Sequence, residues 1–438
     1  MHAMDITTTK DSQGNHVVQL KGRVHAPLRA VWEMFADTQR LYEQAFGMPP
    51  ITAGVVSRTG AQGKMRLGVF ELIFEEKPWL YQAPHRYQSV RIFSKGPLER
   101  LGAALDLAGA AAGASDTSTD VDYRVHIAPH EGPIGWAAGK VATSQVASGL
   151  EAVRAWLLEL AAGRAPPAFV RRGRDGVRKR AEAFAPALAA DGHAAVLVEG
   201  LLEHIAAGPD DEVARMRPYA LAEKWGQPKE QLLSLCLGAV RAGLLQMRWE
   251  SICAWCKGPV HEAANLEAVP DQHSCLLCEF ETIASRTSNV AAVFAPVFDV
   301  RRAARTSYCL GSPGRTPHWL AQLVLEPGSA QDLPMQLGAG RYLLQSPGIK
   351  QRTVLDVGET GEERVAITLE RARGGQPPLL PSATPTLREG KVSLALKNED
   401  ADSHRMQLVH DGCADLSATA AHVVATVAWQ RLNGQSPS

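Results

Sequence analysis

The sequence predicts a multidomain α+β protein, and three observations carry that expectation. Two Cys-x-x-Cys pairs, Cys253/Cys256 and Cys275/Cys278, are separated by the 18 residues 257–274. Ahead of them, alternating strand-like runs give way to helical periodicity; behind them, short strands recur between Gly, Pro and Asp turns. The 438 residues leave room for about three domains of ordinary size, and a hydrophobic content of 45% can supply more than one core.

Composition excludes several classes. Lys+Arg and Asp+Glu both number 46, and zero net charge argues against a chain-wide nucleic-acid or anionic-membrane footprint. Of the seven cysteines, Cys236, Cys309 and Cys413 stand outside the pairs and read as buried thiols, a usage that suits a reducing cytoplasm. Met1 to Gly14 lacks the apolar core of a signal peptide. Leu101 to Ala114 is the most apolar stretch, but Asp106 interrupts it and it is too short to span a bilayer. The expectation is a soluble, cytoplasmic protein without a membrane span.

The first domain is expected over 1–163. Val18, Leu20, Gly22 and Val24 alternate with polar residues, which gives a strand with one buried face. Ala26-Pro27 ends it, and Leu28 to Ala36 reads as a short helix carrying Val31, Trp32 and Phe35. Alternating runs follow near Lys64–Phe74, Arg86–Phe93 and Val121–Ile127. Val141 to Ala162 then carries Val146, Leu150, Val153, Leu157 and Leu160 at helical spacing and is capped by Gly163. A strand, small helices, a strand meander and one long helix, opening on Val24-His-Ala-Pro-Leu-Arg-Ala-Val-Trp32, resemble the helix-grip fold of the START/Bet v 1-like (SRPBCC) superfamily. The resemblance implies an apolar cavity between helix and sheet for a hydrophobic small molecule, with Trp79, Tyr81, Tyr87 and Tyr123 as candidate ligand-binding residues. For any single one of these aromatics, core filling is the expected role. His85, His126 and His130 stand at no telling distance from a nucleophile or carboxylate and receive no catalytic role.

Residues 164–180 read as a linker. Ala165-Pro166-Pro167 leads into six cations, Arg171, Arg172, Arg174, Arg178, Lys179 and Arg180, which suit phosphate contact or a solvated first helical turn. Over 181–250, a helix from His193 to Ala206, a short one ending at Gly226, another from Pro228 to Ala242 and a strand Leu244–Trp249 follow the order of a winged helix. Its third helix holds only Lys229 and Arg241 as cations and is largely apolar, whereas base reading needs exposed Arg, Asn or Gln. The module therefore reads as structural or protein-binding, and nucleic acid is not expected as its partner.

Residues 251–285 read as a zinc ribbon. Cys253, Cys256, Cys275 and Cys278 provide four thiolates from two turns, enough to close a tetrahedral structural Zn(2+) site with no position left for an activated water. His261 and His273 lie nearby and read as surface histidines. From 286 to 412 seven candidate strands, Val290–Val300, His318–Leu325, Arg341–Gln345, Arg352–Val357, Arg364–Glu370, Lys391–Lys397 and Arg405–His410, suggest a β-sandwich. Within 413–438, Ser417 to Leu432 reads as a helix before a polar tail.

Ile252-Cys-Ala-Trp-Cys-Lys-Gly-Pro259, Cys275-Leu-Leu-Cys-Glu-Phe280, Tyr308-Cys-Leu-Gly-Ser-Pro313, Thr316-Pro-His318 and Thr419-Ala-Ala-His-Val-Val424 resemble a regulatory domain that precedes the catalytic domain in bacterial class III adenylate/guanylate cyclases. The resemblance covers roughly 180–430 and implies a cyclase catalytic domain or another protein as partner. The chain departs from those cyclases where the catalytic domain is due: it holds no Phe-x-Asp-Ile/Leu-x-Gly stretch for the two metal ions of ATP cyclisation. Three functions compete: a non-catalytic sensory, regulatory or scaffold protein; a nucleic-acid-binding regulator built on the winged-helix-like module and ribbon; and an enzyme. The first is the reading adopted, with no catalytic residue assigned. Glu75 and Glu76 are adjacent and point to opposite faces of a strand, and Arg315-Thr-Pro-His318 reads as a turn.

Overall fold

The structure is a computed structural model that describes residues 4–57, 60–67, 70–109, 117–166, 175–275, 278–303, 312–372, 377–411 and 416–434. The chain begins with β1 (Asp5–Lys10) and β2 (His16–Val24), then α1 (Leu28–Ala36) and α2 (Thr38–Arg40), which runs on into a π-helical turn, Leu41–Ala45. Five strands follow: β3 (Thr52–Ser57), β4 (Gly60–Leu67), β5 (Phe70–Glu76), β6 (Leu80–Gln82) and β7 (Arg86–Lys95). Then come β8 (Leu98–Gly109), β9 (Thr119–Pro129) and the long helix α3 (Pro133–Ala161). The middle of the chain holds α4 (Asp175–Glu182), α5 (Ala185–Ala190), α6 (Ala195–Ala207), α7 (Asp210–Val213), α8 (Pro218–Trp225) and α9 (Lys229–Arg241). Next are β10 (Leu245–Ile252), β11 (Pro259–Ala263), β12 (Gln272–Cys275), β13 (Phe280–Ile283) and β14 (Val290–Pro296). The last part holds β15 (Trp319–Leu325), β16 (Ala330–Leu337), β17 (Gly340–Gln345) and β18 (Thr353–Gly358). After them come β19 (Arg364–Leu369), β20 (Thr386–Arg388), β21 (Gly390–Asn398), β22 (His404–His410), α10 (Ala420–Val424) and α11 (Val427–Leu432).

The elements form two compact units. The first comprises 1–169, 277–279 and 307–413; the second comprises 170–276, 280–306 and 414–438. In the first unit β1-β2-β9-β8-β7 is an antiparallel run, and β7 then serves two neighbours. Its start, Arg86–Gln88, pairs with β6, while Arg91–Lys95 pairs with β5, which continues to β4 and β3. Alternation explains the buried face: Val121, Tyr123, Val125 and Ile127 of β9 point inward together, as do Tyr87, Ser89, Arg91 and Phe93 of β7. Helix α3 packs on β2, β9 and β8 and buries Leu150, Val153, Trp156 and Leu157. It starts eight residues before the expected Val141. Its first turns contain Gly135 and Gly139, weak helix formers that propensity alone does not place in a helix. The tertiary fit asks for them: a Cβ at Gly135 would lie 1.8 Å from the His130 carbonyl oxygen.

The same sheet does not stop at β6. Strand β15 pairs antiparallel with it, Ala321 opposite Gln82 and Gln322 opposite Tyr81, and the order continues β15-β22-β17-β18-β20. A second sheet, β16-β21-β19, shares one apolar core with that extension, including Leu323, Leu344, Leu355, Met406 and Leu408 on one side and Leu333, Ile367, Leu394 and Leu396 on the other. β16 was missing from the expected strands because Pro334 sits within it; the structure places it at a sheet edge, where a missing N–H is tolerated. A 3₁₀ turn, Pro313–Arg315, lies against the end of α1, where a Cβ on Gly314 would come within 2.3 Å of the Ala36 carbonyl.

In the second unit α4, α6, α8 and α9 surround one core of Leu201, Leu202, Ile205, Leu232, Leu235 and Cys236, closed by Trp249 and Phe294. The segment expected to open the β-sandwich, Val290–Val300, instead forms β14 and pairs with β10 in the three-stranded sheet β11-β10-β14. Its residues Val290 to Phe294 are all buried, so it suits the centre of this core as well as a sandwich, and alternation could not decide between them. Part of the expected linker is helix α4, and Arg178 on it meets Glu182, Glu199 and Glu203 at 2.7, 2.6 and 3.4 Å. The single C-terminal helix expected over Ser417–Leu432 is two: α10 ends at Val424, and Thr426 Oγ1 accepts from the Trp429 amide at 3.1 Å to start α11. Arg171, Arg172, Arg174, Tyr308, Cys309 and Cys413 lie outside the described residues. Among the described residues no helix is long and apolar enough to cross a membrane.

Candidate ligand cavity and metal centre

Between α3 and the sheet of the first unit lies a cavity of about 100 Å³. Met65, Leu72, Phe93, Leu98 and Val125 give it an apolar wall from five strands, and Ala142 and Val146 of α3 close it. Besides the tyrosines Tyr42 and Tyr123, three polar side chains reach the wall, and two are already committed. Gln145 on α3 donates to the Phe46 carbonyl at 2.7 Å, which holds the helix over the π-helical turn. Arg91 is 4% exposed, and its Nε donates to Glu76 Oε2 at 2.9 Å. Its guanidinium also stacks over Tyr42 and Phe74 at 5.1 and 5.0 Å from the ring centroids. Ser89 is the third.

Glu76 is 2% exposed and is held from both sides: its other oxygen accepts from Trp79 Nε1 at 2.9 Å. An ion pair this dry persists only because each charge meets its partner and further donors. A small apolar molecule with one acceptor group would find largely apolar walls and one fixed cation.

The four aromatics singled out in the sequence are all buried, but in different places. Tyr123 lines the cavity, and burial raises the pKa of its hydroxyl, keeping it protonated. Trp79, Tyr81 and Tyr87 are absent from the lining. Tyr87 stands one layer behind, its ring 6.3 Å from Tyr123 and 5.3 Å from Trp79. Tyr81 lies on β6, where its hydroxyl meets Thr316 Oγ1 at 3.2 Å. Sequence reasoning missed Arg91, and it noted Glu76 only as the neighbour of Glu75 on the opposite face of a strand. The signal was available: a charge on the inward register of β7, between Tyr87 and Phe93, is out of place in a strand of that period.

The four cysteines come together. The sulfurs of Cys253, Cys256, Cys275 and Cys278 all lie within 4.8 Å of one another, and all four residues are buried. Cys256 and Cys275 Sγ are 3.7 Å apart, too far for a disulfide. A tetrahedral zinc with bonds of about 2.3 Å sets its sulfurs about 3.8 Å apart, so the donor set fits that ion. Local geometry explains the convergence. The Cys253 amide donates to the Gly258 carbonyl at 2.9 Å and the Lys257 amide to the Cys253 carbonyl at 3.0 Å, folding the first pair into a tight knuckle. Lys257 and Glu279, each directly after the second cysteine of its pair, have φ of 56° and 58°. They are the positive-φ non-glycine residues among those described, and both serve the same turn. Trp255 stacks on Phe280 at 4.2 Å and shields the cluster.

Helix α9, the would-be reader of bases, is buried over Leu232, Leu233 and the run Leu235 to Ala239, and it packs against α8, α11 and β10. Helix α11 thus lies on the element that would have to enter a groove.

Residues 181–308 match a protein family whose description reads "Family of unknown function" (DUF5939). No curated protein matches the chain. Among solved structures, a START superfamily protein from Mycobacterium smegmatis is similar at 13% identity, over 34% of this chain and 99% of that one, with a TM-score of 0.24. A conserved protein from Geobacillus kaustophilus is similar at 14% identity, over 34% and 96%, with a TM-score of 0.24. The ZhuI aromatase/cyclase from a Streptomyces species is similar at 14% identity, over 32% and 93%, with a TM-score of 0.21.

Proposed function

We propose that the chain is a sensory or regulatory protein that binds a small apolar molecule in the cavity beneath α3 and performs no reaction on it. The observation that carries this reading is the cavity itself, apolar except for a guanidinium already bound to Glu76, a glutamine already bound to backbone, and the hydroxyls of Ser89, Tyr42 and Tyr123. Groups so committed orient a guest; they do not offer a base or a nucleophile. The cysteine cluster takes a structural Zn(2+), whose four sulfurs leave no place for substrate. The partner proposed is a nucleotide cyclase catalytic domain, a reading supported by the zinc-knuckle and tail phrases that resemble cyclase regulatory domains.

The test is calorimetric titration of the full chain with n-octanoate, an alkyl chain bearing one carboxylate. Binding is expected in wild type, and Ala142→Leu, which fills the cavity from α3, should weaken it at least about tenfold, the cost of about 1.4 kcal/mol. Equal affinity in both proteins would place the guest elsewhere and refute the cavity reading. Adding the catalytic domain and following ATP cyclisation with and without octanoate tests the partner.

A further inference from the structure

The cavity's one ion pair is the first link of a longer chain. From Arg91 it passes to Glu76, and from Glu76 to Trp79 Nε1 at 2.9 Å. Trp79 has a second polar contact: its backbone carbonyl accepts from Gln322 Nε2 on β15 at 2.5 Å. Gln322 Oε1 in turn accepts from Gln407 Nε2 on β22 at 2.9 Å, and Gln407 Oε1 from Gln345 Nε2 on β17 at 3.1 Å. The three glutamines are direct register partners across β15, β22 and β17, and they are 5%, 1% and 1% exposed. The row lies among other buried polar side chains of these strands, including His404 and Arg405 of β22; leucine would fill the three sites, so the amides add hydrogen bonding that packing alone does not require.

The row has a direction. Every amide donates toward Trp79, because a carbonyl there can only accept. Reversing all three amides would keep both bonds between the glutamines but turn an oxygen toward an oxygen at Trp79. The far end is open: Gln345 Oε1 and the adjacent Ser346 Oγ have no hydrogen-bond partner among the described residues. Internal pairing is therefore equal in the two directions, and the contact at Trp79 selects between them. A row that could run in either direction is a candidate for the two-state element that coupling between separated sites requires.

We propose that occupancy of the cavity is transmitted to the C-terminal strands β17 and β22 through the chain Arg91–Glu76–Trp79–Gln322–Gln407–Gln345. The inference rests on the cavity reading above and assigns its regulation. A guest whose acceptor draws on Arg91 loosens Glu76, Glu76 releases Trp79, and the carbonyl of Trp79 ceases to orient the amides. The aromatic contacts Tyr123–Tyr87–Trp79 give the same residue a second, apolar route from the cavity wall.

The experiment is hydrogen exchange of the full chain, read on peptides covering β17 and β22, with β2 and β9 as internal reference. In wild type, saturating n-octanoate should change exchange in β17 and β22 by about tenfold, a coupling of ordinary size. Gln322→Leu should bind octanoate with unchanged affinity and show no such change. Octanoate bound with exchange in β17 and β22 unaltered, or a change retained in Gln322→Leu, overturns the relay and leaves the cavity reading standing. A uniform change that includes β2 and β9 reports stability alone and also counts against it. If octanoate does not bind, the cavity reading fails for that guest and the relay is judged by the double variant Glu76→Leu/Arg91→Met. That variant withdraws the ion pair without a ligand and removes the acceptor from Trp79 Nε1. It should reproduce the change in β17 and β22 and lose it when Gln322→Leu is added; unaltered exchange there overturns the relay.

Discussion

Single residues decide whether the cavity wall holds its shape, and Arg91 with Glu76 carries most of that burden. Side chains 5% and 2% exposed cannot shed a charge to water when one partner is lost. Arg91→Met should therefore destabilise the chain by about 3–5 kcal/mol in urea unfolding, while Glu76→Gln/Arg91→Met should recover most of that loss because no charge is left unpaired. A single variant no weaker than the double would show that water reaches the pair. A second buried pair sets a pH dependence. Asp400 is pushed toward a higher pKa by burial, but the His404 imidazole at 2.8 Å and the Ala372 and Ala401 amides outweigh it, and its pKa is lowered. A carboxylate with a depressed folded pKa contributes stability above its unfolded pKa of about 3.9 and loses it as pH falls through the folded value. Wild type should thus exceed Asp400→Asn in urea midpoint at pH 7, and the two should converge on acidification below about pH 4. A gap that stays constant to pH 2.5 would mean the carboxylate is not held by these partners.

At the scale of elements, the sequence was most legible where chemistry fixes spacing. The two Cys-x-x-Cys pairs announced a common centre, and the structure brings their sulfurs within 4.8 Å. Leu28–Ala36 was read residue for residue because its apolar positions repeat at helical spacing after a proline. Legibility failed where tertiary fit overrides propensity. Gly135 and Gly139 hid the first turns of α3, Pro334 hid β16, and the inward Arg91 was lost among aromatics. The glycines invite a test. Alanine ordinarily stabilises a helix interior over glycine by about 0.5–1 kcal/mol. At Gly135 the new Cβ would meet the His130 backbone oxygen, so Gly135→Ala should instead cost about 1–3 kcal/mol in thermal unfolding. The cysteine cluster supplies another. Chelation or Cys275→Ser should release one zinc equivalent, abolish exchange protection in β11, β12 and β13, and lower the melting temperature, because a four-sulfur site folds its own loops. A melting profile indifferent to chelation would show that hydrogen bonds alone hold the knuckles.

At the scale of the whole first unit, what the sequence concealed is continuity. Residues 1–163 and 286–412 read as separate domains because each shows its own strand pattern. The link between them is a pairing of β6 with β15, more than two hundred residues apart, carried by backbone groups that leave no mark on composition. Gln322, Gln345 and Gln407, one on each of β15, β17 and β22, are all buried. The Ala83 amide donates to the Leu320 carbonyl at 2.8 Å, Gln82 bonds to the Pro334 carbonyl, and Tyr81 meets Thr316. A fragment of 1–166 would bare that edge, with Trp79 and Tyr81, now 1% and 4% exposed, close behind it. Unpaired edges next to apolar side chains recruit other strands. The fragment should therefore self-associate in light scattering and melt below the full chain, although α3 and the strands it covers are intact within it. A monomeric fragment as stable as the full chain would show that β6 needs no partner, and that the helix-bearing sheet is a domain in its own right.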